Sequence, residues 1–388
     1  MCYRVCMDRE LKEQVSQGGQ PDLRDLAPDE LRAFVVSLGL PARRGGQIFA
    51  RLHRPGVHDF SQLGIGREVT ALLAGHATMS SLVPAAVERS TDSTEKFAFR
   101  LADGAMIESV LIPEDGRHTL CISSQAGCAM GCRFCLTGGQ GFTRNLHPAE
   151  IVGQVLAVMN HMVVGGIKRA TPRELLNNLV FMGMGEPLAN YDNLLTALRI
   201  LMDDQGLGFS QRRITVSTCG IVPRMDDLGR DIRVNLAVSL HAADDAVRSR
   251  LMPVNMTYGL AELLAACRRY PLGKKKVILF EYIMLKGIND SLADAHLLAE
   301  KLQGIPSRIN LLPYNGSGES EYACPETAQT LAFQKVLREA GFNTFIRQSR
   351  GADISAACGQ LAGNHAPAPD LRCHQPAHVR KHTSQASS

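Results

Sequence analysis

Residues 119–142 read Thr119-Leu-Cys-Ile-Ser-Ser-Gln-Ala-Gly-Cys-Ala-Met-Gly-Cys-Arg-Phe-Cys-Leu-Thr-Gly-Gly-Gln-Gly-Phe142. Three of its thiols, Cys128, Cys132 and Cys135, follow the spacing C-x3-C-x2-C. Thiolates this close can hold one metal centre. Structural zinc usually takes four protein ligands, and no fourth Cys or His stands at a short regular spacing. A four-iron cluster held by three Cys leaves one iron open, where a small molecule can chelate. The loop therefore reads as a reactive site, with a zinc staple as the competing reading. Thr119-Leu-Cys-Ile-Ser123 alternates as a strand does, so the cysteine loop follows a strand directly.

Outward from this loop the chain is 388 residues long, 45% hydrophobic and 21% charged, with a net charge of +4. Such a composition suits a soluble globule. The mildly basic balance permits a nucleic-acid partner without requiring one. No apolar run reaches the ~18–20 residues that span a bilayer. The start, Met1-Cys-Tyr-Arg-Val-Cys-Met-Asp, has no apolar core of a secretory signal. A cytoplasmic protein with no membrane partner is expected, and its 11 cysteines point to thiol chemistry rather than a disulfide framework.

Residues 1–20 are polar and read as a flexible N-terminus. Residues 21–88 read as a small helical accessory domain. Asp29–Leu38 carries apolar residues at helical spacing, and Arg43–Leu52 pairs a basic start with an apolar face. This unit is either a cap on the main domain or an RNA-gripping module using Arg43, Arg44 and Arg51. From Ser90 the period changes to two, and strands are expected at 96–101, 106–112 and 119–123. After the cysteine loop, short apolar strands and helices alternate through residue 347, which predicts a parallel sheet covered by helices. The expected fold is α/β, a partial (β/α)6-type TIM barrel over residues 89–363 with an N-terminal β extension. Residues 364–388, with His365, His374, His378 and His382, read as a disordered tail.

In barrels of this kind the site lies at the carboxyl ends of the strands. Gly183-Met-Gly-Glu-Pro187 follows a buried strand. Its glycines allow close approach of a ligand, and Glu186 can receive an ammonium group or cap a helix. Ser217, Ser239, Leu240, His241 and Asn315 also follow strands and can bind ligand hydroxyls or serve as turn residues. Cys358 lies in a loop of small residues after the last strand, where a thiol would be accessible. Cys121 sits on the strand that feeds the cysteine loop. Either could instead be a small buried hydrophobe. Glu108, among Ile107, Val110 and Ile112, reads as solvent-facing or as a general base. Cationic candidates for RNA phosphates are Arg144, Arg212, Arg213, Lys274–Lys276, Arg347 and Arg350.

Taken together the motifs resemble the RlmN/Cfr family of radical S-adenosylmethionine (SAM) RNA methyltransferases. The resemblance rests on Cys121-Ile-Ser-Ser-Gln-Ala-Gly-Cys128, the C-x3-C-x2-C loop and Gln140-Gly-Phe-Thr-Arg144. It continues through Phe181-Met-Gly-Met-Gly-Glu-Pro187, Ser239-Leu-His-Ala242, Phe280-Glu-Tyr-Ile-Met284 and Asn310-Leu-Leu-Pro-Tyr-Asn315. It ends with Arg350-Gly-Ala-Asp-Ile-Ser-Ala-Ala-Cys-Gly-Gln360. One departure is Cys219, where the family usually has Ser.

The resemblance implies a radical SAM core with a [4Fe-4S] cluster on Cys128, Cys132 and Cys135. It implies a SAM site lined by Gly185, Glu186, Ser217, Ser239, Leu240, His241 and Asn315. Cys358 would become S-methylcysteine, Cys121 would resolve the RNA adduct, and Glu108 would accept the proton. The implied activity is methylation of adenine C2 in 23S rRNA and possible tRNA substrates. C8 methylation of the Cfr type is the alternative, and a non-catalytic zinc or RNA-binding protein the more distant one. A flavodoxin or ferredoxin would supply electrons, and a monomer is expected.

Overall fold

The computed structural model describes residues 19–167, 171–274, 276–316 and 321–362. The expectations for residues 1–18, for Lys275 and for the histidine-bearing tail fall outside the described residues.

The chain begins with helices at Pro28–Ser37, Arg43–Leu52 and Arg67–His76. The first has Pro at its start, and Glu30 reaches back to accept from the Ala27 amide at 2.8 Å. Ile48, Phe49 and Leu52 recur at helical spacing and are wholly buried. Arg24 is buried among them and donates to the carbonyls of Val57 at 2.7 Å and Leu52 at 3.1 Å. Asp25 accepts from the Ala149 amide at 2.8 Å, at the start of the long helix Pro148–Val164. An acid there meets the positive end of the helix dipole and ties the helical unit to the sheet layer.

One sheet organises everything after residue 83. Its strands are β1 (Pro84–Arg89), β2 (Glu95–Arg100), β3 (Met106–Glu114), β4 (Arg117–Cys121), and, beyond a small hairpin, β7 (Asn178–Phe181), β8 (Ile214–Thr218), β9 (Asn235–Ser239), β10 (Ile278–Met284), β11 (Ser307–Pro313) and β12 (Asn343–Ile346). The hairpin is β5 (Gln125–Gly127) with β6 (Phe142–Asn145). The ten strands lie in the order β1-β2-β3-β4-β7-β8-β9-β10-β11-β12. β1 to β4 pair antiparallel, and every later pair is parallel. Helices cross over between successive parallel strands, as parallel pairing requires. Neither β1 nor β12 pairs with the other edge, so the barrel is partial, as the strand count predicts.

Two features were not foreseen. β1 was missed because Pro84-Ala-Ala-Val-Glu-Arg89 is an edge strand, half-buried on alternate residues, with little apolar signal. The β5–β6 hairpin was missed because its strands are three and four residues long and rich in Gly, Gln and Asn. Among the described residues no helix is long and apolar enough to cross a membrane.

Candidate active site

The parallel strands end around one cavity with about 1170 Å³ of open space, its mouth included. Cys128, Cys132 and Cys135 line one wall, and Cys121 and Cys358 line the same cavity. So do Gly185, Glu186, Ser217, Ser239 and His241. Leu240, Asn315 and Glu108 stand outside that lining. Leu240 is buried and its amide donates to the Glu281 carbonyl at 3.0 Å. Asn315 donates from its side chain to the Ser349 hydroxyl.

Cys121 is the last residue of β4, opposite Val110 on β3 and Val180 on β7. Burial, and then charge on the neighbouring Cys358, push its thiol well above the ordinary range. Cys358 arrives from the other end of the sheet, on the strap that follows β12. The residue keeps a solvent-accessible surface, yet the cavity walls crowd its sulfur. That crowding, followed by Glu281, pushes the thiol up to about 11.

The strap is fastened at several points. The Leu136 amide donates to the Gly359 carbonyl at 2.8 Å, and the Thr137 hydroxyl donates to the Leu361 carbonyl. Asp353 accepts from the Thr91 amide at 3.0 Å and from the hydroxyls of Ser90 and Thr91. Asp92 accepts from the Gly351 amide at 3.1 Å.

The segment 183–187 packs against residues 122–125. The amides of Ser124 and Gln125 donate to the Met184 carbonyl, and the Glu186 amide donates to Gln125 Oε1 at 2.9 Å. Gly185 has φ +96°, and a Cβ there would lie 2.5 Å from the Gln125 Cβ. Glu186 is buried, its Oε1 accepting from the Leu188 amide at 2.9 Å and Oε2 from the Cys219 amide at 2.7 Å. Burial raises its pKa, and the Cys219 and Leu188 amides oppose that rise. Glu186 thus caps the short helical turn Pro187–Asn190 and also lines the cavity. The capping reading holds, and the same carboxylate faces the cavity.

His241 has φ +61° and packs edge-on to Phe134 of the cysteine loop, with ring centres 4.7 Å apart. Its Nδ1 accepts from the Ile283 amide at 3.0 Å, which assigns the proton to Nε2. Burial, then the charge of Arg248, lower its pKa to about 3, so the ring is neutral.

The solvent-facing reading of Glu108 is wrong. A period of two puts Glu108 on the same face as Val110 and Ile112, which line the cavity. It is 1% exposed. Its Oε2 accepts from the Ala362 amide of the strap at 3.0 Å, and Oε1 has no hydrogen-bond partner but lies 3.7 Å from Lys96 Nζ.

The cationic expectations are also revised. Arg144 is ion-paired to Asp103 at 2.6 Å and to Glu150 at 2.7 Å, because β6 packs against the helix that Glu150 opens. Arg51 donates from Nη1 to the carbonyls of Leu63 and Gly64 at 2.7 Å. The Arg144 guanidinium is therefore committed to carboxylates within the protein. Arg347 is exposed beside the strap, close enough to oppose the rise of the Cys358 thiol.

Glu281, Cys219 and Phe134 also line the cavity and were given no role from sequence. Glu281 accepts from Asn310 Nδ2 at 2.8 Å, and burial raises its pKa. Its signal was legible: a carboxylate in the middle of the apolar strand Ile278–Met284.

The donor set fits an iron–sulfur cluster. Three thiols from one loop line the cavity, and Cys thiolates are the ordinary ligands of such clusters. Burial raises the Cys132 thiol and pushes Cys128 up to about 11. Metal binding replaces those protons.

Known proteins resemble this chain over most of its length. Residues 122–299 match the Radical SAM superfamily model. The chain is 54% identical over 342 residues to the dual-specificity RNA methyltransferase RlmN of Desulfotalea psychrophila, covering 88% of this chain and 94% of that one. It is 49% identical to the protein of the same name from Geobacter sulfurreducens, covering 88% and 92%. The crystal structure of a radical SAM methyltransferase from Sphaerobacter thermophilus superposes with a TM-score of 0.82 at 41% identity, covering 89% of this chain and all of that one.

Proposed function

The chain belongs to the RlmN family of radical SAM RNA methyltransferases, and from this we propose that it methylates C2 of an adenosine in 23S rRNA and in tRNA. The observation that carries the reading is one cavity lined by Cys121, Cys358 and the three loop cysteines. Adenine C2 is an electron-poor carbon with no nucleophilic character, so polar methyl transfer from SAM fails there. A thiol that first carries the methyl group, and a second thiol that releases the product, answer that difficulty.

A cluster on Cys128, Cys132 and Cys135, which we assign as [4Fe-4S], supplies when bound the electron that splits SAM. The chain's own residues do the rest. Gly185 leaves room for close approach. Glu186 uses one lone pair of each oxygen on backbone amides and keeps others for the SAM ammonium. Ser217, Ser239 and the Nε2 proton of His241 offer further hydrogen bonds to SAM. Leu240 and Asn315 act from behind the lining by holding the strand tips and the strap.

Cys358 carries the methyl group to C2. Glu108 accepts the proton lost from C2 at Oε1, while the Ala362 amide holds Oε2. Lys96 Nζ, 3.7 Å from Oε1, holds the Glu108 side chain in place. Cys121 then attacks the Cys358 sulfur, releasing methylated RNA and leaving a disulfide. An external donor such as flavodoxin or ferredoxin restores the thiols and the cluster electron. We assign the protein to the cytoplasm, acting as a monomer.

The test is Cys358→Ala in the anaerobically reconstituted enzyme. Iron and sulfide content should stay at the wild-type level while 2-methyladenosine, read by nucleoside mass spectrometry, disappears. Product at the wild-type rate would reject the role of Cys358, and 8-methyladenosine from the wild type would reject the C2 assignment.

A further inference from the structure

Arg248 lies on the helix Asp245–Leu251, just after β9, and its side chain is wholly buried. A guanidinium keeps its charge at any physiological pH and offers five donors. Here Nε donates to the Leu240 carbonyl at 3.0 Å. Nη2 donates to the carbonyls of Cys219 at 2.7 Å and Ser239 at 3.2 Å. Nη1 donates to Asn255 Oδ1 at 2.7 Å. Three of these acceptors are backbone carbonyls at the tips of β8 and β9, the strands that present Ser217 and Ser239 to the cavity. The guanidinium rivets the two tips together.

All four acceptors are neutral. Among the described residues no carboxylate lies within ion-pair distance of Arg248, although burying an uncompensated charge is costly. One of its acceptors, Cys219, belongs to the apolar cluster against which Cys132 packs. The same helix also supports the cysteine loop. The Arg133 amide donates to the Leu251 carbonyl at 3.0 Å, and Leu251 and Met252 belong to the apolar cluster that packs Cys132 and Phe134. The buried cation therefore sits behind the wall where the thiolates stand.

We propose that Arg248 is the built-in counter-charge of the iron–sulfur cluster, raising its reduction potential while fixing the strand tips that line the SAM site. The assignment rests on the reading that Cys128, Cys132 and Cys135 hold the cluster. Reduction adds negative charge to that site. A fixed positive charge in a low-dielectric wall stabilises the reduced form more than the oxidised one. Arg248 acts as a positioning residue and touches no reacting atom.

The test compares reconstituted wild type with R248Q and R248K in a redox titration followed by electron paramagnetic resonance, with SAM binding measured separately by equilibrium dialysis. R248Q removes the charge and should move the midpoint to more negative potential by at least ~60 mV, a tenfold change in a one-electron equilibrium. R248K keeps the charge but cannot reach four acceptors. It should titrate near the wild type while binding SAM at least about tenfold more weakly. R248Q with full iron content and an unshifted midpoint overturns the proposal. Should R248Q fail to fold, an R248K midpoint displaced as far as ~60 mV overturns it too, since the charge is retained. A wild type that binds no iron overturns the cluster reading beneath it, and iron analysis tells that failure from the other.

Discussion

Gly185 lacks a side chain for two separate reasons. Its φ of +96° is strained for any residue with a Cβ, and a Cβ would meet the Gln125 side chain at 2.5 Å, next to backbone. Gly185→Ala should therefore lower unfolding stability by about 1–3 kcal/mol and weaken SAM binding, read by urea denaturation and equilibrium dialysis. A variant with wild-type stability would show that the segment can shift freely. The sequence made a close approach of backbone legible here, since glycines after a buried strand allow it, while leaving a turn or cap as the other reading. Glu108 was harder. Its parity with Val110 and Ile112 was readable, but a carboxylate among apolar residues is ambiguous until its partners are known. Those partners, Lys96 on β2 and Ala362 on the strap, lie across the sheet and 254 residues along the chain. Cys219 shows the opposite case, a departure from the family whose side chain turned out to line the cavity.

At the scale of elements, the strap bearing Cys358 depends on the β1–β2 turn. Asp353 gathers Ser90 and Thr91, and Asp92 receives the Gly351 amide. Asp353→Ala should cost about 1–3 kcal/mol through lost charge-assisted hydrogen bonds and speed the reaction of Cys358 with a thiol reagent. Peptide mass spectrometry after timed labelling reads the rate; an unchanged rate would mean the strap is held without Asp353. The alternation of strands and helices after residue 121 was legible because buried parallel strands are short apolar runs and their helices carry a 3.6-residue period. β1 and the β5–β6 hairpin were not, since pairing rather than composition makes them strands. The fastening of the strap left no local signal, as its partners are 224 to 263 residues away in sequence at Leu361 and Asp353.

At the scale of the whole molecule, the N-terminal helices and the sheet share one continuous apolar core. Its pH response follows from buried groups. Burial, then the charge of Arg24, hold His53 near 3 instead of 6.5. The stability this neutral ring lends is fully present above pH 6.5 and falls as pH drops toward 3. At pH 5 the loss is roughly 2 kcal/mol. Asp25 runs the other way, because burial raises it to about 6 from 3.8. Its contribution is full below 3.8 and lost as pH rises through 6. His53→Gln should flatten the acid side of a stability profile measured by urea denaturation between pH 7 and pH 5. An unaltered slope would show that His53 is not the group responsible.

The same global arrangement brings together Cys121, at the end of the first parallel strand, and Cys358, beyond the last. Neither thiol announces its partner in sequence, and only the curl of the sheet sets them in one cavity. The most direct test is Cys121→Ala in the reconstituted enzyme with SAM, reductant and RNA, analysed by denaturing gel and peptide mass spectrometry. The account predicts RNA covalently linked to protein through the Cys358 sulfur, because the attack that releases it is missing. Free 2-methyladenosine RNA formed at the wild-type rate, with no linked species, would contradict it.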